Sequence, residues 1–298
     1  MKAVRLTQNY IDTNYLQEHQ QRLIERRDFT EGSYSDELAD KLTKLNGFRY
    51  CELFSSASMA MYAAVYVVKE YIDKNKPVQV SSFSFPALYN ALVLNDIAVK
   101  IIDCASNGLA TTQGELTVHQ SIGTKTAEIN SESISIEDSA WCFGRTMKLQ
   151  PTFSVMSLGN NKPLNCGSGG VLFYNDDTWT HKLRLLKYYG ATGRASQGGI
   201  KQDAGGNFRF DDWRAIMGLS QICRIQEHKN HLYNVQKQLL VEQNGYSTMH
   251  MLRNKIPCSV KSWQPLHTYL PAKGTFTNSE YCYKTMYITG SNYEYYGH

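Results

Sequence analysis

Leu38, Leu42 and Leu45 recur at three- and four-residue intervals between Ser35 and Gly47. The spacing predicts an amphipathic helix with Ser35 as its N-cap, Asp36 and Glu37 in its first turn, and Asn46-Gly47 as its stop. A short apolar run at 48–54 predicts a strand. The small residues Ser55, Ser56, Ala57 and Ser58 then turn the chain into an apolar helix over 59–71. The alternation continues with a strand at 78–81, a helix at 85–94 and a strand at 97–102 that ends on Asp103. Further strands are expected at 133–136, 152–157 and 170–174. A helix over 178–188 is capped by the Asn175-Asp176-Asp177 turn, and one long helix, broken at most once, covers 211–243. Strands alternating with helices predict an α/β domain built on a largely parallel sheet. Residues 1–33 and 105–132 carry no clear period, and the tyrosine-rich end at 292–298 reads as frayed.

The chain has 298 residues, 42% of them apolar and 19% charged, enough for a sizeable core. The net charge of +4 is too small to suggest nucleic-acid binding, and the basic clusters at 22–27 and 182–187 read as solvated helix faces. No run approaches the ~18–20 apolar residues of a membrane span. The first residues, MKAVRLTQNYIDTN, lack the apolar core of a signal peptide. Seven cysteines, an odd number with no CxxC pair, argue against a disulfide framework or structural zinc. They read as buried packing residues in a reducing cytoplasm.

Open α/β sheets bind ligands at the carboxyl ends of their strands. After the first strand, small residues open a helix whose N-terminal N–H groups can cradle a phosphate, although Ser before a helix is also an ordinary cap. After the second comes Ser82-Phe83-Ser84-Phe85, an aromatic that could stack on a planar ring or simply fill the core. Asp138 follows the strand at 133–136 and could pair with a cation or cap a helix. Lys162 sits in a tight loop of small, uncharged residues, SLGNNKPLNCGSGG. It is a solvated surface lysine or, if desolvated, a nucleophilic amine. Together, a phosphate cradle, an aromatic plate, a carboxylate and an amine match the needs of pyridoxal phosphate.

From about Ser33 to Gln226 the chain resembles the DegT/DnrJ/EryC1/StrS sugar aminotransferases, which are fold-type-I pyridoxal phosphate enzymes. FSSASMAM (54–61) resembles the family's phosphate turn, and SSFSFPA (81–87) its P-S-F-T-F-x-A segment. IAVKIIDC (97–104) is similar to the strand that ends on Asp. IEDSAWCFG (136–144) is similar to I-E-D-A-A-x-A-x-G, and SLGNNKPLNCGSGG (157–170) to the lysine loop. GGNFRFDDWRAIMGLSQI (205–222) resembles the segment that follows.

The resemblance implies a mostly parallel mixed sheet sandwiched by helices. A cofactor-binding domain would cover 1–230, N-terminal arm included, and a small, shortened α+β domain 231–298. It further implies that Lys162 carries the cofactor as a Schiff base and that Asp138 pairs with the pyridine nitrogen. Phe85 would stack on the ring, while Ala57, Ser58 and Ser157 hold the phosphate. Asn207 and Arg209 would reach the partner's cofactor in a homodimer with shared sites.

Some positions depart from the family. Trp141 stands where many members carry His or Gln, Gly159 where many carry His, and Ser168 where many carry Glu. Retention of Lys162 argues against the related dehydratases, which carry His there. Gln264-Pro265-Leu266-His267 resembles a Y-x-P-L-H segment that would bring His267 near the substrate; a surface histidine is the alternative. The implied reaction takes an amino group from glutamate or a similar donor and gives it to a nucleotide-linked keto-sugar for surface polysaccharide or glycoside biosynthesis. A non-sugar carbonyl substrate, or a homologue without transamination that serves as a regulator or partner subunit, are the alternatives.

Overall fold

The computed structural model describes residues 10–27, 29–121, 129, 132–144, 149–192, 202–238, 246–247, 249–252, 260–261, 264–285 and 287–290. The tyrosine-rich end expected to fray lies outside them. Helix α1 (Thr13–Arg26) runs through a segment in which no period was expected. Most of TNYLQEHQQRLIER is polar and only Leu23 is buried, so no apolar stripe marks it. Asp12 caps it, accepting a hydrogen bond from Tyr15 N–H at 3.0 Å.

Helix α2 (Ser33–Asn46) follows the leucine stripe, with Leu38 and Leu42 fully buried and Gly47 closing it in the left-handed region. Its start corrects the expected cap. Ser35 lies within the first turn, and its N–H and hydroxyl both donate to Asp212 Oδ1, as does Gly32 N–H at 3.1 Å. A carboxylate from a distant helix therefore satisfies the donors that Ser35 was expected to cap.

The chain continues as β1 (Tyr50–Phe54), α3 (Ala57–Val68), β2 (Val78–Ser81), α4 (Pro86–Val93), β3 (Val99–Ile102), β4 (Leu116–Gln120), β5 (Ile134–Asp138) and β6 (Cys142–Phe143). Then come β7 (Phe153–Ser157), β8 (Gly170–Tyr174), α5 (Thr180–Lys187), α6 (Asp212–Ile222) and α7 (Ile225–Gln238). The described remainder is β9 (Tyr246–Ser247), β10 (Met249–Leu252), β11 (Val260–Lys261), α8 (Thr277–Thr285) and β12 (Tyr287–Gly290).

The main sheet has the order β1-β8-β7-β5-β4. Strands β4, β5 and β7 are parallel, whereas β8 runs antiparallel to both β7 and β1, so the sheet is mixed. The parallel pair β2–β3 lies beside β4. Alternate residues of the strands feed two cores. Ile136, Phe153, Val155 and Leu172 pack with Ala60, Ala64 and Val67 of α3 on one face. Met156, Val171 and Phe173 pack with Leu38 and Leu42 on the other.

Strand β4 lies in the stretch that resisted assignment. Val118 enters the apolar core while Thr117 and His119 are buried on the opposite face, so LTVHQ shows no apolar run. The expected long helix over 211–243 is two helices, α6 and α7, parted at Cys223 and Arg224. Asp176 caps a short 3-10 turn (Asp177–Trp179) that leads into α5 rather than capping α5 itself.

The cluster at 182–187 is not wholly a solvated face. Lys187 is buried and pairs with Glu31 at 2.8 Å and with Glu52, which also binds Arg184 at 2.7 Å. Cys104, Cys166 and Cys282 are buried, whereas Cys223 is exposed. Past α7, strands β10, β12 and β11 form a small antiparallel sheet, while Leu266 and Phe276 join the main core. Among the described residues no helix is long and apolar enough to cross a membrane.

Candidate active site

Between β1 and α3 the chain turns at Ser55 and Ser56. Ser56 is extended, and its Oγ accepts a hydrogen bond from Met59 N–H at 3.2 Å. The N–H groups of Ala57 and Ser58 open the helix and have no acceptor within it, which makes this end an anion cradle. Ser55 is clamped from several sides. Its N–H donates to the Phe208 carbonyl at 2.8 Å, and its own carbonyl accepts from Arg214 at 3.1 Å and Ser168 Oγ at 3.0 Å. Gly170 lets β8 press against this turn, because a Cβ there would stand 2.4 Å from Ala57 Cα.

Strand β5 extends two residues further than expected, so Asp138 is its last residue rather than a loop position. Strand alternation sends its two carboxylates to opposite faces. Glu137 accepts from Ser121 Oγ and from Ser154 Oγ, the latter at 2.8 Å. Asp138 is buried and lines a cavity; Ala140 N–H donates to it at 3.0 Å. Burial, with Glu137 adding to it, holds the Asp138 carboxyl above the usual carboxylate range; Ala140 N–H and the Lys162 ammonium oppose the shift.

The loop after β7 is folded on itself. Leu158 N–H donates to the Gly169 carbonyl at 2.9 Å, and Cys166 N–H to the Leu158 carbonyl at 2.8 Å. Gln221 of α6 holds Asn165 twice, accepting from its N–H and donating to its carbonyl. Asn161 takes a left-handed φ of 64°, and Lys162 follows it, its N–H donating to the Gly159 carbonyl. The Lys162 Nζ lies 3.3 Å from the centre of the Trp141 ring.

These elements enclose a cavity of about 390 Å³. Ala57, Ser58, Phe85, Asp138, Ser157 and Lys162 all line it, and so does Trp141. Phe85 is the residue before α4; its N–H donates to Gln120 Oε1 at 2.7 Å and its ring is half exposed. Gln120 comes from the unassigned stretch, and no local signal marked it. Asn160, Asn161 and Ser168 also line the cavity.

Asn207 and Arg209 stand outside that wall. Arg209 Nε donates to Asn207 Oδ1 at 2.9 Å, and its guanidinium lies over the rings of Tyr188 and Tyr189. His267 is outside as well. It bonds Ser82 Oγ through Nδ1 and stacks on Phe276 at 4.3 Å, joining the C-terminal segment to the end of β2. A larger cavity of about 650 Å³ between α2, β1 and α5 contains none of the expected site residues. Its Lys187 and Arg184 are already neutralised by Glu31 and Glu52.

The DegT/DnrJ/EryC1/StrS aminotransferase family model matches residues 127–281, the stretch that carries Asp138 and Lys162. The chain belongs to this family. The UDP-4-amino-4,6-dideoxy-N-acetyl-beta-L-altrosamine transaminase of Helicobacter pylori is 21% identical over 225 residues, 67% of this chain and 59% of that protein. The GDP-perosamine synthase of Caulobacter vibrioides is 32% identical over 98 residues, 31% of this chain. The matched stretches thus span 59% and 26% of those relatives' own lengths. Among solved structures, Helicobacter pylori PseC, an aminotransferase involved in the biosynthesis of pseudoaminic acid, superposes with a TM-score of 0.80 at 16% identity. It covers 96% of this chain and 92% of its own. The Escherichia coli GDP-4-keto-6-deoxy-D-mannose-3-dehydratase, with bound hydrated PLP, reaches 0.78 at 15% identity, covering 97% and 95%. These structures share the chain's fold, that of the pyridoxal phosphate-dependent aminotransferases.

Proposed function

We propose that the chain is a pyridoxal 5'-phosphate-dependent aminotransferase. It moves an amino group from glutamate or a similar donor to a nucleotide-linked keto-sugar for surface polysaccharide or glycoside biosynthesis, in the cytoplasm. The observation that carries this reading is one cavity in which the buried carboxylate of Asp138, the amine of Lys162 and the first turn of α3 converge.

The residues present fit the cofactor. A buried carboxylate that accepts a backbone N–H from Ala140 is stabilised further by a cation, which a protonated pyridine nitrogen supplies. The N–H groups of Ala57 and Ser58 and the hydroxyls of Ser58 and Ser157 suit a phosphate, and the ring of Phe85 suits a flat heterocycle. Pyridoxal phosphate supplies an aldehyde that carries the amino group and a ring that accepts an electron pair.

Lys162 is then both the covalent anchor and the base, its Nζ taking the proton from Cα of the amino donor. Asp138 keeps a proton on the facing nitrogen. Asn207 and Arg209, outside the cavity of their own chain, complete the site of a second copy in a homodimer. Residues 1–230 form the cofactor-binding domain and 231–298 the smaller one.

The test is amino transfer. Purified protein is supplied with the cofactor, 15N-glutamate and a nucleoside diphosphate 4-keto-6-deoxy sugar. The expected product is a sugar nucleotide bearing 15N, absent with Lys162→Ala. Conversion that persists in Lys162→Ala contradicts the assignment.

A further inference from the structure

The most unusual contact in the cavity is between Lys162 and Trp141. The lysine's Nζ stands 3.3 Å from the centre of the indole ring, and both side chains line the same wall. An indole face is the best aromatic partner for an ammonium ion, and the contact strengthens where water is excluded. Trp141 is half-buried between the end of β5 and β6, so the ring stands on the short link from Asp138 through Ala140. Lys162 sits on a loop pinned by Gln221 and by its own backbone bonds, so neither partner is on a free-swinging segment.

A lysine that anchors a cofactor and also moves protons has to leave its bond and return within each cycle. While released it needs a defined position, because a long flexible side chain otherwise loses the alignment on which proton transfer depends. We propose that Trp141 is a positioning residue that docks the Lys162 ammonium on its ring whenever the lysine is not bonded to the cofactor. This inference rests on the transaminase reading for its purpose, whereas the docking itself belongs to the cofactor-free protein. The ring face favours the released, charged lysine over the bonded one. Replacing it with an aliphatic side chain should therefore shift the balance toward the bonded form and slow the step in which Lys162, having taken the donor's proton as a neutral amine, is held as the ammonium that hands it on.

The experiment has two readouts. In cofactor-free protein, NMR should show one lysine ε-methylene resonance shifted upfield by the indole ring current. It should vanish in Lys162→Met, which assigns it, and in Trp141→Leu. Absence of any upfield lysine resonance removed by Lys162→Met overturns the docking, whether or not the protein is a transaminase.

The second readout is the first half-reaction followed by stopped-flow absorption. Trp141→Leu should still attach the cofactor to Lys162, yet convert it with glutamate about tenfold more slowly at saturating donor. That lies between the effects of an exposed and a desolvated cation–π contact, as suits two half-buried side chains. Trp141→Phe, which keeps an aromatic face, should recover most of the rate. A shifted resonance together with an unchanged rate in Trp141→Leu overturns the positioning role. Should Trp141→Leu fail to fold, the Lys162→Met comparison and the Trp141→Phe rate still decide: a Phe variant as slow as a cofactor-binding Trp141→Ala overturns it.

Discussion

Gly170 and Ala57 meet backbone to backbone: a Cβ on Gly170 would stand 2.4 Å from Ala57 Cα and 2.5 Å from Ala57 N. The contact fixes the turn before α3 against β8, and with it the N–H groups that form the anion cradle. Neither partner is a side chain that can swing away, so Gly170→Ala has to move the turn. We expect a stability loss of about 1–3 kcal/mol, the cost of overpacking a tight site. Affinity for pyridoxal phosphate, read by titration of its absorption, should fall at least about tenfold. Wild-type affinity in Gly170→Ala would show that the turn does not hold the phosphate.

Asp138→Asn keeps the shape of the side chain and removes its charge. The cavity should still take up the cofactor, but conversion by glutamate should drop about a hundredfold or more, the scale of loss when a preorganised charge is removed. Single-turnover absorption measures it. Full conversion in this variant contradicts the pairing of Asp138 with the ring nitrogen.

Lys187, the last residue of α5, is held between Glu31 and Glu52. Burial lowers its affinity for a proton, but the two carboxylates outweigh that and hold its pKa above the ordinary lysine value. Lys187→Met takes the ammonium from Glu31 and leaves the buried Glu52 with only the largely exposed Arg184. Denaturant unfolding should show a loss of about 3–5 kcal/mol, because breaking a buried pair from one side leaves the other charge uncompensated.

His228 is buried on α7, and burial lowers its pKa from 6.5 to about 4. The folded state binds this proton less readily than the unfolded chain, so acid favours unfolding. The stability associated with neutral His228 is complete above about pH 6.5 and is lost as pH falls toward 4, up to about 3 kcal/mol. Buried His119 is shifted the same way and adds to the trend. The unfolding midpoint should therefore fall between pH 7 and pH 4.5, and fall less in His228→Phe. An equal fall in wild type and His228→Phe would show that His228 does not titrate with unfolding.

Much of the fold was readable because its helices and inner strands announce themselves. The leucines of α2, the small residues before α3 and the uniformly apolar β8 stand out in one dimension. What escaped shares a cause: the residue that stabilises an element belongs to another part of the chain. Asp212 completes the first turn of α2 from α6. His119 and Thr117 are buried in β4 because of the sheet around them, and α1 rests on a single buried leucine. The same holds at the site. Asp138 and Lys162 could be placed from strand ends, and Ala57 and Ser58 from the turn. Gln120, Gln221 and Arg214, which brace the walls, act across the fold and carry no local mark. The solvated reading of Lys187 failed for the same reason, since its partners Glu31 and Glu52 lie far away in sequence.

The most direct test is an absorption spectrum of the purified protein with pyridoxal phosphate, taken before and after excess glutamate. A visible band that forms on Lys162 and is then replaced by the spectrum of pyridoxamine phosphate is the expected outcome. A band that forms and ignores glutamate and every other amino donor would contradict transamination. The absence of any band would contradict the assignment of the cavity itself.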